Sequence, residues 1–240
     1  GSLGTLAVIT RLNFRTLPLP PQERMFVAAF AGREGALEFC RAIGKSQLQP
    51  RLVEAMNPET ARVLRAARAP LDRWSVAVAA AGHGAVVARH EQELSRMARE
   101  LRADDFAAFE GPEQDALFAA LREFPRLVLE AFSGAAIFRL AILPGAMPEL
   151  LRKTQAVSER HQVETAVLVR AAGMVYVALL PPGGDARSVA RLPAACRDLM
   201  QASLGAGCMR ADRESVELGG EGVGARPNVL RSWTAAQFIR

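Results

Sequence analysis

Hydrophobic and polar positions follow two periods along this chain, and their order predicts the secondary structure. Short runs rich in β-branched and aromatic residues predict strands, whereas apolar residues three or four positions apart predict helices. Strands are expected at 6–14, 25–30, 49–55, 74–80, 105–109, 135–143, 163–171, 174–180 and 208–211. Helices are expected at 32–44, 58–67, 88–102, 112–124, 148–160 and 187–203. Strands and helices therefore alternate along most of the chain.

The alternation includes one direct connection between strands, Ala172-Gly173, which has the composition of a hairpin turn. Strands that alternate with helices and yet include a hairpin predict an α+β fold. We expect a mainly antiparallel sheet with helices on one face. The repeating pattern predicts split βαβ units of the ferredoxin-like kind.

A run of prolines divides the chain near its start. Pro18, Pro20 and Pro21 follow the first predicted strand, and such a run continues neither a sheet ladder nor a helix. It forms a stiff, extended connector instead. The run predicts a domain boundary, with residues 1–20 ending one domain and residues 21–240 forming the next.

The composition is ordinary for a globular protein, with 50% hydrophobic and 23% charged residues. The net charge of +5 comes from arginines scattered among acidic residues, which indicates a salt-bridged surface instead of a nucleic-acid-binding face. The sequence lacks the run of about 18 apolar residues that a membrane-spanning helix needs. Three cysteines without a CxxC pair indicate reduced thiols, so a soluble, cytoplasmic protein is expected.

The first residues carry the pattern most typical of a ligand site. Gly1 and Gly4 surround Ser2, and glycines permit a tight turn and a close approach by a ligand. Successive backbone N–H groups in such a turn form an anion-binding nest, to which the Ser2 and Thr5 hydroxyls add donors. The turn predicts a site for phosphate or for the polar edge of a cofactor. A purely structural turn, or a cloning remnant at Gly1-Ser2, is the alternative interpretation.

The whole run Gly1–Thr10, with Pro18 and Pro20 beyond it, resembles a segment of FAD-linked oxidases of the vanillyl-alcohol oxidase (PCMH-type) family. That family's pattern is roughly G-S-x-G-T-L-G-x-I-T, a strand, and then L-P-L-P before the cap domain. Later segments, at 25–44, 50–56, 139–151 and 173–179, are similar to the family's C-terminal part. The FAD-binding small subunit of glycolate oxidase is the nearest type. Ala7 departs from the pattern at a common glycine, and the family's F-D-P and N-P-G signature is not present.

The resemblance implies that residues 1–20 end a PCMH-type FAD-binding domain and that residues 21–240 form the cap domain. It also implies that FAD is bound by seven residues at the start of the chain: Gly1, Ser2, Gly4, Thr5, Val8, Ile9 and Thr10. The family's main pyrophosphate loop precedes this run, so the 240 residues alone are not expected to hold FAD firmly or to be active. The implied reaction is oxidation of an alcohol or 2-hydroxy acid, such as glycolate, by hydride transfer to the flavin. Other subunits of a glycolate-oxidase-like complex are the implied partners.

Arg139 is a charged residue within an otherwise apolar predicted strand. It either points outward on the alternating face of the sheet or binds a substrate carboxylate through a bidentate pair. Tyr176 and Arg170 are candidates for the same substrate-binding role. No catalytic residue is assigned. The three histidines have no metal-ligand spacing, so no metal site is predicted.

A non-catalytic interaction or assembly module is the alternative function. Repeated ferredoxin-like units serve that purpose too, and a fold alone does not decide between the two. An RNA-binding sheet has less support, because a base-stacking platform needs aromatic residues outside the core.

Overall fold

The structure is a computed structural model, and it describes residues 6, 8–16, 18–65, 72–170, 173–181, 186–206 and 210–215. For residues 186–189 and 210–215 it describes the backbone alone.

Strands and helices alternate as the sequence predicts. The first half contains β1 (Gln22–Phe30), α1 (Arg33–Lys45), β2 (Leu52–Met56), α2 (Pro58–Leu64), β3 (Trp74–Gly82), α3 (Gly84–Glu100) and β4 (Asp105–Phe109). Two helices follow, α4 (Gly111–Arg122) and α5 (Phe124–Ala131). The second half contains β5 (Ala136–Ala141), a short 3-10 turn (Pro144–Ala146), α6 (Met147–His161), β6 (Glu164–Arg170), β7 (Met174–Leu180), α7 (Ala186–Gly205) and β8 (Arg210–Ser215).

The eight strands of the described residues belong to one sheet, in the order β4-β1-β3-β2-β6-β7-β5-β8. Every neighbouring pair is antiparallel. Strands β1 to β4 have the order of a ferredoxin-like unit, and β5 to β8 have the same order read from the opposite edge. The predicted α+β class, the antiparallel sheet and the ferredoxin-like repeats are thereby confirmed. The two units meet where β2 pairs with β6, and this β2–β6 junction consists of three residue pairs.

The sheet buries both of its faces, because successive strand residues point to opposite sides and both sets are apolar. In β1, Phe26 and Ala28 lie in one core with residues of α1, α3, α6 and α7, and this face is called the first face. Met25 and Val27 lie in a second core with residues of α2, α4 and α5, on the second face. Helices were predicted on one face alone. The structure differs because α2, α4 and α5 cover the apolar residues on the other side.

Two further local predictions differ from the structure. The predicted strand at 6–14 has no strand in its described part, residues 6 and 8–14. A strand needs a neighbour for its N–H and C=O groups, and none of the described strands pairs with this segment. Helix α5 was not predicted, since Pro125 directly follows the predicted end of α4. In the structure Pro125 lies in the first turn of α5, where a missing N–H costs nothing.

Exposed arginines pair with nearby carboxylates, as the scattered charge pattern predicts. On α3, Arg96 lies 2.9 Å from Glu93 and 2.6 Å from Glu100. On α6, Arg152 lies 2.7 Å from Glu149 and, by donating hydrogen bonds, lowers the pKa of that carboxyl to about 2. Within the described residues, no helix has the length and apolar character needed to span a membrane.

Gly173 closes the hairpin between β6 and β7, and replacing it is expected to destabilise the fold. Its φ is +86°, and a Cβ at this position would lie 2.7 Å from the backbone oxygen of Ile142. We expect Gly173→Ala to lower the free energy of unfolding by about 1–2 kcal/mol, as measured by urea denaturation. Gly44→Ala is the control, because a Cβ there meets nothing within 4 Å on a helix that favours alanine. Equal stabilities for the two variants would contradict this account.

Candidate functional site

The structure describes three of the seven predicted cofactor-binding residues. Gly1, Ser2, Gly4 and Thr5 are outside the described residues. Val8, Ile9 and Thr10 are exposed and in no regular secondary structure, with 87% of Val8 and 71% of Ile9 accessible. Their role in binding FAD therefore stays a prediction.

The predicted substrate-binding residues lie together on the second face of the sheet. Arg139 of β5 pairs directly with Tyr176 of β7, so their side chains point to the same side. Arg170 of β6 lies diagonally across from Tyr176, whose direct partner on that strand is Leu168. Arg139 is exposed and Tyr176 is buried. Asp212 of β8 pairs with Arg139 on its other side.

Tyr176 lies between a cation and an aromatic ring. The Arg170 guanidinium carbon is 5.1 Å from the centre of the Tyr176 ring, which is within the range of a cation–π interaction. Phe124 of α5 meets the same ring edge-on, with centroids 6.2 Å apart. The ring is therefore held from two sides, by a strand residue and by a residue of the helices that cover this face.

Arg170 is itself held by a buried carboxylate across the β2–β6 junction. Its Nε lies 3.0 Å from Oε1 of Glu54, its direct partner in the sheet register, but the approach is that of an ion pair instead of an aligned hydrogen bond. Its Nη2 donates to the backbone oxygen of Leu121 in α4 at 3.3 Å. The Arg170 side chain keeps 30% of its surface accessible. It therefore links the two sheet halves to a covering helix while remaining in reach of solvent.

Glu54 is 6% exposed. Burial raises the pKa of its carboxyl to about 7, because the charged form is poorly solvated, and the positive charge of Arg170 opposes that rise. Oε2 of Glu54 has no hydrogen-bond partner among the described residues. Sequence reasoning missed this residue, although Glu54 interrupts an apolar strand in the same way as Arg139 does.

Asn57 completes the β2–β6 junction next to Glu54. Its Oδ1 accepts from the backbone N–H of Thr60, which caps α2, and from the N–H of Val167 on β6 at 2.8 Å. Its Nδ2 donates to the oxygen of Thr165 at 2.7 Å. The Thr60 hydroxyl donates to the oxygen of Val167 at 2.9 Å. One side chain thus caps a helix and extends the hydrogen-bonding between the sheet halves.

The other potentially reactive side chains in the described residues, two histidines and a cysteine, have environments that explain them as parts of the fold. His90 is buried, with Nδ1 2.8 Å from the oxygen of Val86, and His161 lies 2.9 Å from Asp198. Burial raises the pKa of the Cys40 thiol to about 12, which disfavours the reactive thiolate. No group of His, Cys, Asp and Glu in the described part of the chain could hold a metal ion.

Comparison with solved structures finds the same architecture in three enzymes. The first is 4-ethylphenol oxidase from Gulosibacter chungangensis in its isoeugenol complex, with a TM-score of 0.60 and 15% identity, over 80% of this chain and 46% of that one. p-Cresol methylhydroxylase with substrate bound has a TM-score of 0.63 at 10% identity, over 80% of this chain and 45% of that one. Alkyldihydroxyacetonephosphate synthase has a TM-score of 0.58 at 10% identity, over 79% and 40%.

The chain shares its fold with these three enzymes. It spans less than half the length of each. No protein-family model and no curated protein sequence matches it. The resemblance to PCMH-type oxidases, predicted from the first residues and the later segments, is supported at the level of the fold. The finer likeness to the small subunit of glycolate oxidase stays a prediction.

Proposed function

We propose that this chain is part of an FAD-dependent oxidoreductase, in which residues 21–240 form the cap that covers the substrate beside the flavin. The substrate is a small alcohol or a 2-hydroxy acid such as glycolate, oxidised at its CH–OH group. The observation that carries this proposal is the placement of Arg139, Tyr176 and Arg170 on one face of the sheet, on neighbouring strands. The shared fold with an oxidase and a methylhydroxylase supports it.

These residues suit a small carboxylate. Arginine binds a carboxylate through two parallel N–H donors. Arg139 is exposed on the sheet, and the Arg170 side chain keeps 30% of its surface accessible. The Tyr176 hydroxyl, on the strand between β5 and β6, offers a further donor. The chain's own residues bind and orient the substrate in this proposal. FAD, when bound, would supply the hydride-accepting chemistry of this oxidation.

The start of the chain fits a role beside the cofactor. Val8, Ile9 and Phe14 are exposed apolar residues, and none of the described strands pairs with residues 8–16. We propose that residues 1–20 complete an FAD-binding domain, with Gly1, Ser2, Gly4 and Thr5 at the phosphates or the ribityl chain. Electrons then pass to another subunit of a glycolate-oxidase-like complex.

The visible spectrum of the gene's full-length product tests the cofactor. We expect a yellow protein whose flavin absorbance is bleached by glycolate or a related 2-hydroxy acid under anaerobic conditions. A colourless protein that free FAD does not reconstitute would overturn the proposal.

Replacing Arg139 tests the substrate class. Arg139→Leu in the full-length enzyme is expected to raise the KM for a 2-hydroxy acid about tenfold, because a charge-assisted pair to the carboxylate is lost. Steady-state kinetics measure this change. Arg96→Leu, on the exposed side of α3, is the control and leaves the KM unchanged. An unchanged KM in Arg139→Leu would remove this residue from the site.

An assembly module is the second candidate. The exposed apolar side chains within segment 8–16 favour it, because an extended segment rich in strand-forming residues can add to a partner's sheet. A full-length product that is colourless and purifies as a stable complex would support this function instead.

A further inference from the structure

Glu54 is the only Asp, Glu, Lys or Arg among the described residues whose side chain is buried in the core. A buried carboxylate is costly unless it is paired and hydrogen-bonded, and Glu54 has a single cationic partner and one oxygen without any partner in the described part of the chain. Such an arrangement is poor at stabilising a fold. It is better suited to holding the partner in place.

The partner, Arg170, has its donors divided between three directions. Nε faces Glu54, and Nη2 donates to the Leu121 oxygen. Nη1 forms no hydrogen bond or ion pair with another described residue. The guanidinium group is planar and rigid. Fixing Nε and Nη2 therefore also fixes the direction of the Nη1 donors. Arg170 therefore presents pre-oriented donors beside Tyr176.

We propose that Glu54 is a positioning residue for an anion-binding site, which holds the Arg170 guanidinium against Tyr176 so that Nη1 receives a substrate carboxylate. The ligand is a small carboxylate of the 2-hydroxy acid class, and this choice rests on the proposed function. Glu54 acts through Arg170 and does not touch the ligand. Without the carboxylate, the Arg170 guanidinium loses its fixed direction.

The sheet contains a matched arrangement that serves as a control. Arg51 lies 2.7 Å from Glu23, and its guanidinium carbon is 5.3 Å from the centre of the Phe118 ring. This set has the same three residue types, carboxylate, guanidinium and aromatic ring. It lies away from the β2–β6 junction, at the β1 and β2 ends, and Glu23 is 25% exposed at its side chain. Glu23→Gln therefore removes a carboxylate from the same kind of pair without altering Arg170.

The single tyrosine of the chain gives a direct measurement of the site. Tyr176 is the only tyrosine among 240 residues, so protein labelled with ¹³C-tyrosine gives one set of ring signals in an NMR spectrum. Sodium glycolate is titrated into the full chain and into the Glu54→Gln, Glu54→Asp and Glu23→Gln variants. The wild-type ring signal is expected to shift and saturate. Glu54→Gln is expected to weaken the apparent affinity about tenfold, and Glu23→Gln to leave it unchanged.

Glu54→Asp keeps the charge one methylene further from Arg170 and is expected to weaken glycolate binding about threefold. The Glu54→Asp variant tests the role of Glu54 even if Glu54→Gln does not fold. Wild-type affinity in Glu54→Asp or in folded Glu54→Gln would overturn the inference, and so would a Tyr176 signal that does not respond to glycolate in the wild type. The measurement needs no flavin. A colourless full-length product together with Glu54-dependent glycolate binding would therefore reject the proposed function and retain the anion site.

Discussion

Asn57→Ala is expected to lower the free energy of unfolding by about 3 kcal/mol, the largest loss expected of any substitution considered for this chain. The change removes the N-cap of α2, a loss of about 1 kcal/mol. It also leaves the buried N–H of Val167 and the oxygen of Thr165 without this partner, which adds about 1–3 kcal/mol. The loss of stability from this single substitution is large because the Asn57 side chain caps a helix and also joins both sheet halves.

Urea denaturation followed by circular dichroism measures this loss. Thr60→Val is the graded comparison, because it removes only the Thr60 hydroxyl, whose single hydrogen lies within reach of Asn57 Oδ1 and the Val167 oxygen. Its expected cost is about 1 kcal/mol. If Asn57→Ala proved no less stable than Thr60→Val, the hydrogen bonds of Asn57 across the junction would contribute little, and the junction would depend on apolar packing.

The second large effect concerns pH. The wild type is expected to lose up to about 3 kcal/mol of stability as pH rises from about 5 to about 8, and Glu54→Gln to lose none of this. The pKa of Glu54 rises from 4.5 to about 7 on folding, chiefly through burial. The folded state therefore holds the proton more tightly than the unfolded state. Stability is highest where Glu54 is protonated in both states, and it falls as pH passes from the unfolded to the folded pKa.

Other charged groups are not expected to produce this loss of stability between about pH 5 and about pH 8. The Glu23–Arg51 pair lies further along the same face. Exposed carboxyls such as Glu149, whose pKa the Arg152 side chain lowers, lose their contribution only at lower pH. Urea denaturation of the wild type, Glu54→Gln and Glu23→Gln at several pH values separates the effects. Parallel profiles for the wild type and Glu54→Gln would show that Glu54 does not titrate in this range.

Much of the fold was predictable because its local patterns are clear. The bounds of β4 and β7 coincide with the predicted strands at 105–109 and 174–180, where apolar runs stop at turn residues. α5 was missed because the proline at its start resembles a helix end. The coverage of the second face was also missed, since an apolar strand residue does not reveal which helix will cover it.

The candidate site was predictable in its members but not in its organisation. Arg139 and Arg170 stand out as charges in apolar strands, and Tyr176 lies in the strand after the hairpin. Their meeting depends on the sheet register, and Glu54 gains its importance only through pairing with a residue 116 positions later, which no local pattern encodes. The role of Val8, Ile9 and Thr10 depends on groups outside the described structure and stays a prediction.

The narrow β2–β6 junction has a consequence for dividing the protein. Each four-stranded unit is complete in strand order. Three ladder pairs and the hydrogen bond from the Asn57 N–H to the Val167 oxygen join their described backbones, and the first core runs across both units. If the halves were expressed separately, the first would expose β2 and the second would expose β6 as an unpaired edge strand, rich in valine, alanine and leucine. Unpaired edge strands pair with strands of other molecules, so the isolated halves are expected to self-associate instead of remaining monomeric.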